Sequence, residues 1–183
     1  MATSHGPGAS PFAVSVRDLA RRVGEQEAVS RTIPAPADFG TDVIGVPEGT
    51  DLALDLSLES VSEGIWVSGG VAAKAVGECS RCLDEVREDV YAPIQGLFAL
   101  PGTESAGEDD EDVRDFDGET LDLEEIVRDA VVTSLPFVPL CDPDCPGLCD
   151  QCGARLADDP DHRHDVVDPR WAALESLTEP KEK

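Results

Sequence analysis

Positive charge is scarce in this sequence. Lys and Arg number 14 against 39 Asp and Glu in 183 residues, for a formal net charge of -25. That balance argues against a broad cationic surface for nucleic acid, because neutralising phosphates needs cations. It attracts basic partners and speeds their association, although acidity also serves solubility alone. Aromatic residues make up only 4%, so the hydrophobic 40% rests mainly on Val, Leu and Ala. No apolar run approaches the ~20 residues of a membrane span. The start, "MATSHGPGASPF", has no basic stretch followed by an apolar one, so no signal peptide is read and a cytoplasmic protein is expected. Also missing are a phosphate-cradling Gly loop with Lys, a Gly-x-Ser-x-Gly elbow and a strand–GxGxxG–helix unit. For catalysis by these routes the sequence is poor, and the many carboxylates read as solvated surface.

What is present reads as an α+β chain, an antiparallel β-sheet or open barrel with one main helix and a C-terminal zinc-knuckle-like segment. Residues 1–11 read as a disordered tail of Gly, Pro and Ser. Residues 12–140 form a β-rich domain. "FAVSVRDLARRVG" reads as a short strand and short helix, and "SRTIPAPADFG" as a Pro-rich connector. "DLALDLSLESV" alternates, with Leu52, Leu54, Leu56 and Leu58 on one face. "IWVSGGVAAKAVGEC" places Ile65, Val67, Val71, Ala73 and Ala75 in phase, with Gly69-Gly70 as a candidate bulge or bend. "EVREDVYAPIQGLFAL" supplies one or two more strands, with Val86, Val90 and Ile94 inward. Residues 101–119 read as a flexible acidic loop, in which Glu108, Asp109, Asp110, Glu111 and Asp112 are candidate contacts for a basic partner. "TLDLEEIVRDAVVTSLP" carries a helical stripe of Leu123, Ile126, Val127, Ala130 and Val131, with Asp122 or Thr120 as N-cap and Pro136 as stop. Residues 141–178 hold the Cys/His-rich segment and a short helix in "DPRWAALESL", and 179–183 a tail.

The chemistry lies in paired soft ligands: Cys79 and Cys82 in "CSRC", Cys141 and Cys145 in "CDPDC", Cys149 and Cys152 in "CDQCG", and His162 and His164 in "HRH". Structural zinc takes four S or N ligands tetrahedrally, and in a reducing compartment clustered cysteines more often hold metal than disulfides. Eight ligands in four pairs suit two closed sites. One partition joins Cys79 and Cys82 to Cys141 and Cys145, and Cys149 and Cys152 to His162 and His164. The rival gathers the four C-terminal cysteines on one metal and leaves Cys79 and Cys82 as a dithiol. The first uses every pair; the second idles both histidines. Gly153 after the second Cys is expected to clear room for N–H groups to reach the sulfurs, and Arg81 to donate to the thiolates. A thiol redox sensor built on "CSRC", with Arg81 lowering a thiol pKa, is a further reading. A catalytic zinc would need an open position, and nothing in the spacing leaves one. His5 lies in the N-terminal tail.

The run of "CSRCL" after a Val/Ala strand, the helix "TLDLEEIVRDAVVTSLPFVPLC", then "CPGLCDQCGARL" and "DPRWAALESL", resembles the YceD family of large-subunit ribosomal-RNA accumulation proteins over residues 12–178. The resemblance implies support of 23S ribosomal-RNA accumulation, hence ribosome biogenesis, with no catalytic activity. Family members are commonly encoded beside a small, basic, zinc-containing large-subunit ribosomal protein. Many members close the knuckle with Cys-x-Cys after "CGANLN"; here "CGARLADDPDHRHD" has His162 and His164 instead, an exchange between two zinc-binding residue types.

Two mechanisms follow. In one, the acidic domain binds a basic ribosomal protein or a large-subunit precursor. In the other, the protein contacts ribosomal RNA directly near Arg17, Arg21, Arg22, Arg81 and Arg87. Zinc knuckles can read single-stranded RNA, but this one has few basic or aromatic residues. The charge favours the first.

Overall fold

The computed structural model describes residues 10–100, 113–164 and 170. Most of the N-terminal tail, the acidic positions Glu108–Asp112 and the C-terminal helix expected in "DPRWAALESL" lie outside the described residues.

Two long strands organise the sheet. β6 (Gly64–Glu78) and β7 (Glu85–Ala99) pair antiparallel along their whole length, from Gly64↔Ala99 to Glu78↔Glu85. The far edge of β6 is shared. β5 (Asp51–Ser60) covers its first half and β4 (Ile44–Val46) continues past it at Ile44↔Gly77. β2 (Gln26–Pro34) borders β5, β3 (Phe39–Gly40) borders β4, and β8 (Val113–Asp115) runs parallel to β7. The result is a seven-stranded, mostly antiparallel half-barrel. A separate ribbon pairs β1 (Ala13–Ser15) with β9 (Thr120–Asp122), and a 3-10 turn spans Leu19–Arg21.

The alternation in β5 is the clearest cause of this shape. Leu52, Leu54, Leu56 and Leu58 are all buried, while Asp51, Ala53, Asp55 and Glu59 face out. Each buried leucine contributes roughly 1.5–3 kcal/mol of hydrophobic stabilisation. Ile65, Val67, Val71, Ala73 and Ala75 of β6, and Val86, Val90 and Ile94 of β7, are likewise buried.

Helix α1 (Glu124–Ser134) packs on β7 and β3, burying Ile126, Val127 and Val131, with Leu123 beneath its start. The N-cap is Leu123, not Asp122 or Thr120, which both end up in β9; Asp122 still accepts the Glu124 N–H at 3.0 Å, one of the orphan donors of the first turn.

"EVREDVYAPIQGLFAL" takes the first of its two readings, one continuous strand. Three local expectations are corrected. "SRTIP" belongs to β2, an edge strand; only Val29 and Ile33 of its nine residues are buried, so its alternation is faint, and Pro34 is tolerated at its end. Gly69-Gly70 is not a bulge, since register runs unbroken through Leu56↔Gly69 and Asp55↔Gly70; a Cβ at Gly69 would collide with the Asp55 carbonyl, and one at Gly70 with the Tyr91 ring. Residues 113–115, counted with the acidic loop, form β8, and Phe116 beyond them is buried. Among the described residues no helix is long and apolar enough to cross a membrane.

Candidate metal centre

The tip of the β6–β7 hairpin is the turn Cys79–Asp84. The Cys79 N–H donates to the Asp84 carbonyl at 2.7 Å and closes it. Inside it the Leu83 N–H donates to the Cys79 carbonyl at 2.9 Å, and the N–H groups of Arg81 and Cys82 turn toward the Cys79 sulfur. The Ser80 N–H reaches the Pro139 carbonyl at 2.9 Å, pinning the tip to the link that follows α1. That link brings in Cys141 and Cys145. Between them Asp142 folds a tight turn, its carboxylate accepting the Asp144 N–H at 2.8 Å and its carbonyl the Cys145 N–H at 3.0 Å.

The second turn repeats the first. The Gly153 N–H donates to the Cys149 carbonyl at 2.8 Å, and the N–H groups of Gln151 and Cys152 turn toward the Cys149 sulfur. The fifth residue of each turn is left-handed: Leu83 at φ 63° and Gly153 at φ 71°. A Cβ on Gly153 would meet nothing within 4 Å. The glycine is therefore required by its dihedral angle, not by the room it leaves.

Two sets of four ligand atoms result, each set within 4.8 Å of one another: Cys79, Cys82, Cys141 and Cys145, and Cys149, Cys152, His162 and His164. No two of the six cysteines are joined by a disulfide. In the first set the Cys79–Cys145 and Cys82–Cys141 sulfurs are 3.9 and 3.5 Å apart. A tetrahedral ion with Zn–S bonds of about 2.3 Å would space its sulfurs about 3.8 Å apart, so the donor set fits zinc. In the second set the His162 and His164 Nε2 atoms lie 3.2 Å from the Cys152 sulfur and 2.8 Å from each other. Soft sulfur and imidazole nitrogen are also the donors zinc prefers. Neither set includes a carboxylate or spare position suited to activating water.

The two sets differ in setting. Cys79 and Cys145 are buried against Val86 and Leu140, whereas Cys152 and His164 are exposed and Cys149 and His162 half-buried. They are joined through Gly147 (φ 81°), where a Cβ would press on the Arg81 carbonyl at 3.0 Å. The Leu148 N–H donates to that same carbonyl at 3.1 Å. Arg155 reaches from the second segment to grip both oxygens of Asp84 at the hairpin tip. A groove of about 250 Å³, lined by Cys82, Asp84, Cys141, Gly147 and Arg155, lies beside the first set.

The backbone favours thiolates. The Cys141 N–H, then those of Arg81 and Cys82, pull Cys79 down to about 6 against the opposing effect of burial. The N–H groups of Gln151 and Cys152 bring Cys149 to about 6 in the same way. Cys82 is held high: the Asp84 N–H favours its thiolate, but burial and the sulfurs of Cys141, Cys79 and Cys145 outweigh it. The Arg81 guanidinium does not serve the sulfurs as expected; it donates to the Cys145 and Pro143 carbonyls at 2.9 and 3.3 Å. Asp84, Gly147, Arg155 and the left-handed Leu83 were not singled out by sequence reasoning. Aligning "CSRCL" on "CDQCG" would have flagged Leu83, but the other three act across the fold and leave no local signal.

A family model described as "Large ribosomal RNA subunit accumulation protein YceD" matches residues 67–178, from near the start of β6 through both ligand sets. The chain belongs to the YceD family. An uncharacterized protein of Mycobacterium tuberculosis is 48% identical over 188 residues, covering 99% of this chain and 90% of that protein. One of Mycobacterium leprae is 42% identical over 173 residues, covering 93% and 79%. No solved structure matches. The YceD match supplies a class of function, accumulation of large-subunit ribosomal RNA.

Proposed function

We propose that this protein is a non-enzymatic, cytoplasmic ribosome biogenesis factor. It supports 23S ribosomal-RNA accumulation and large-subunit assembly by binding a basic ribosomal protein or a precursor particle. The YceD match carries the ribosomal part of this reading. The preference for a protein partner rests on charge. At -25 the molecule repels phosphate at long range, and most of the arginines that could form an RNA patch are already engaged. Arg17 pairs with Glu119, Arg22 with Glu25 and Arg87 with Glu85, while Arg81 serves carbonyls.

In this reading the ligand sets hold two zinc ions, one on Cys79, Cys82, Cys141 and Cys145, the other on Cys149, Cys152, His162 and His164. A bound ion would supply cross-linking and no reaction chemistry. The protein's own part is to present preformed turns whose N–H groups stabilise the thiolates. The first ion would clamp the hairpin tip to the link after α1, and the second would fold residues 149–164 on themselves. A redox reading of "CSRC" is disfavoured because Cys79 is fully buried.

Binding of the zinc-loaded protein to purified basic ribosomal proteins and to 23S fragments, across a salt series, tests the partner class. Binding to the proteins that weakens with salt is expected. Tight binding to RNA alone, with a steep salt slope, would refute the protein-partner reading.

A further inference from the structure

The chain contains its own comparison for Leu83. The turns Cys79–Leu83 and Cys149–Gly153 share their hydrogen bonds and their left-handed fifth residue. The second turn fills that place with glycine, which adopts the conformation freely; leucine does so only under strain. The fold gives Leu83 nothing in return, since its side chain is 61% exposed and joins no core cluster. Strain retained beside a structured site, with the side chain aimed at solvent, points to a use outside the chain.

Two other exposed apolar residues border the same site. Among the described residues six large hydrophobics stay exposed, and half of them are Leu83, Phe137 at 92% and Val138 at 61%. Phe137 and Val138 sit in the link between α1 and Cys141, bonded to the hairpin tip through Ser80 N–H and the Pro139 carbonyl. The surroundings are acidic. Glu78 and Glu85 face each other directly across the end of the hairpin, a like-charge pairing in which Arg87 is paired with Glu85 and Glu78 has no such partner among the described residues. Asp142 and Asp144 are exposed between the two cysteines of the link. Arg87 and Arg155 are committed to Glu85 and Asp84, and among the described residues Glu78, Asp142 and Asp144 form no ion pair. Four thiolates around a divalent ion would add two further negative charges.

We propose that Leu83, Phe137 and Val138 form a docking face at the four-cysteine end, and that its occupant is a basic protein segment carrying an apolar side chain. The inference rests on the basic-partner reading above and names the surface that reading left open. A second copy of this chain would bring the same acids against each other, and RNA would bring phosphate to them. A cationic segment with an apolar anchor satisfies both the patch and its border.

The test uses the full-length, zinc-loaded protein and its Leu83→Gly, Phe137→Ser and control Tyr91→Ser variants. The probe is the set of proteins extracted from isolated large ribosomal subunits, freed of RNA, with each captured protein purified and titrated singly. Leu83→Gly relieves backbone strain, so its zinc content should match wild type and its thermal midpoint should equal or exceed it. Its affinity for the captured basic protein should fall about tenfold or more, as should that of Phe137→Ser, with Tyr91→Ser unchanged. Unchanged affinity in both variants would overturn this surface and leave the basic-partner reading standing. Failure of the wild type to bind any of the proteins would overturn both. Variants that instead lose self-association or binding to 23S fragments would overturn the choice of occupant.

Discussion

Leu83 and Gly153 occupy equivalent places in two copies of one turn, and the difference between them is measurable. Gly153→Ala meets no steric obstacle, so its cost is the left-handed backbone alone, roughly 1–2 kcal/mol. A denaturant midpoint for the zinc-loaded variant checks this, and a wild-type midpoint would mean the turn relaxes. Gly147→Ala should cost more, because its Cβ also presses on the Arg81 carbonyl. The thiols give a pH prediction. Cys79 and Cys149 are lowered to about 6 from an ordinary 9.0. A lowered pKa contributes stability that is complete above the unfolded value and lost as pH falls through the folded one. The metal-free protein should therefore gain stability between pH about 6 and about 9. Serine at either position should remove part of the thiolate ultraviolet absorbance at neutral pH, and absorbance unchanged by both would refute the assignment. At this scale the sequence was legible in which soft side chains gather into two groups. It was illegible where a side chain acts at a distance: Arg81 is aimed at carbonyls, and Arg155 grips a residue 71 positions away.

The elements differ in how plainly they were written. β5 and β6 alternate because one face is core, and the strand pattern could be read directly. β2 is an edge strand with two buried residues, and β8 is three residues long at the end of an acidic run, so neither carries enough apolar signal. The pairs left two partitions of the cysteines open, and the fold brings together the one that uses every pair; the contrast between the groups was not legible. The first set joins Cys79 to Cys145 across the fold and is partly buried, whereas the second is contained in residues 149–164 and mostly open. A chelator should therefore remove one zinc equivalent quickly and the second slowly. Cys152→Ser should retain one equivalent and the β-sheet circular dichroism, while Cys79→Ser should lower the thermal midpoint further. Simultaneous release of both ions at one rate would contradict the hierarchy.

For the whole molecule, charge and topology act together. The half-barrel holds the β6–β7 hairpin rigid along fifteen residue pairs and projects its tip, with both ligand sets gathered there by Ser80, Leu148 and Arg155. An acidic body attracts a basic partner at long range, and that steering should weaken with added salt over a screening length of about 8–10 Å. The ribosomal role is the central claim, and cells test it most directly. Sedimentation of ribosomal particles from a strain lacking this protein should show fewer large subunits and a lowered ratio of 23S to small-subunit ribosomal RNA, restored by the wild-type gene and not by Cys79→Ser. A subunit profile and RNA ratio identical to the parent strain's would contradict it.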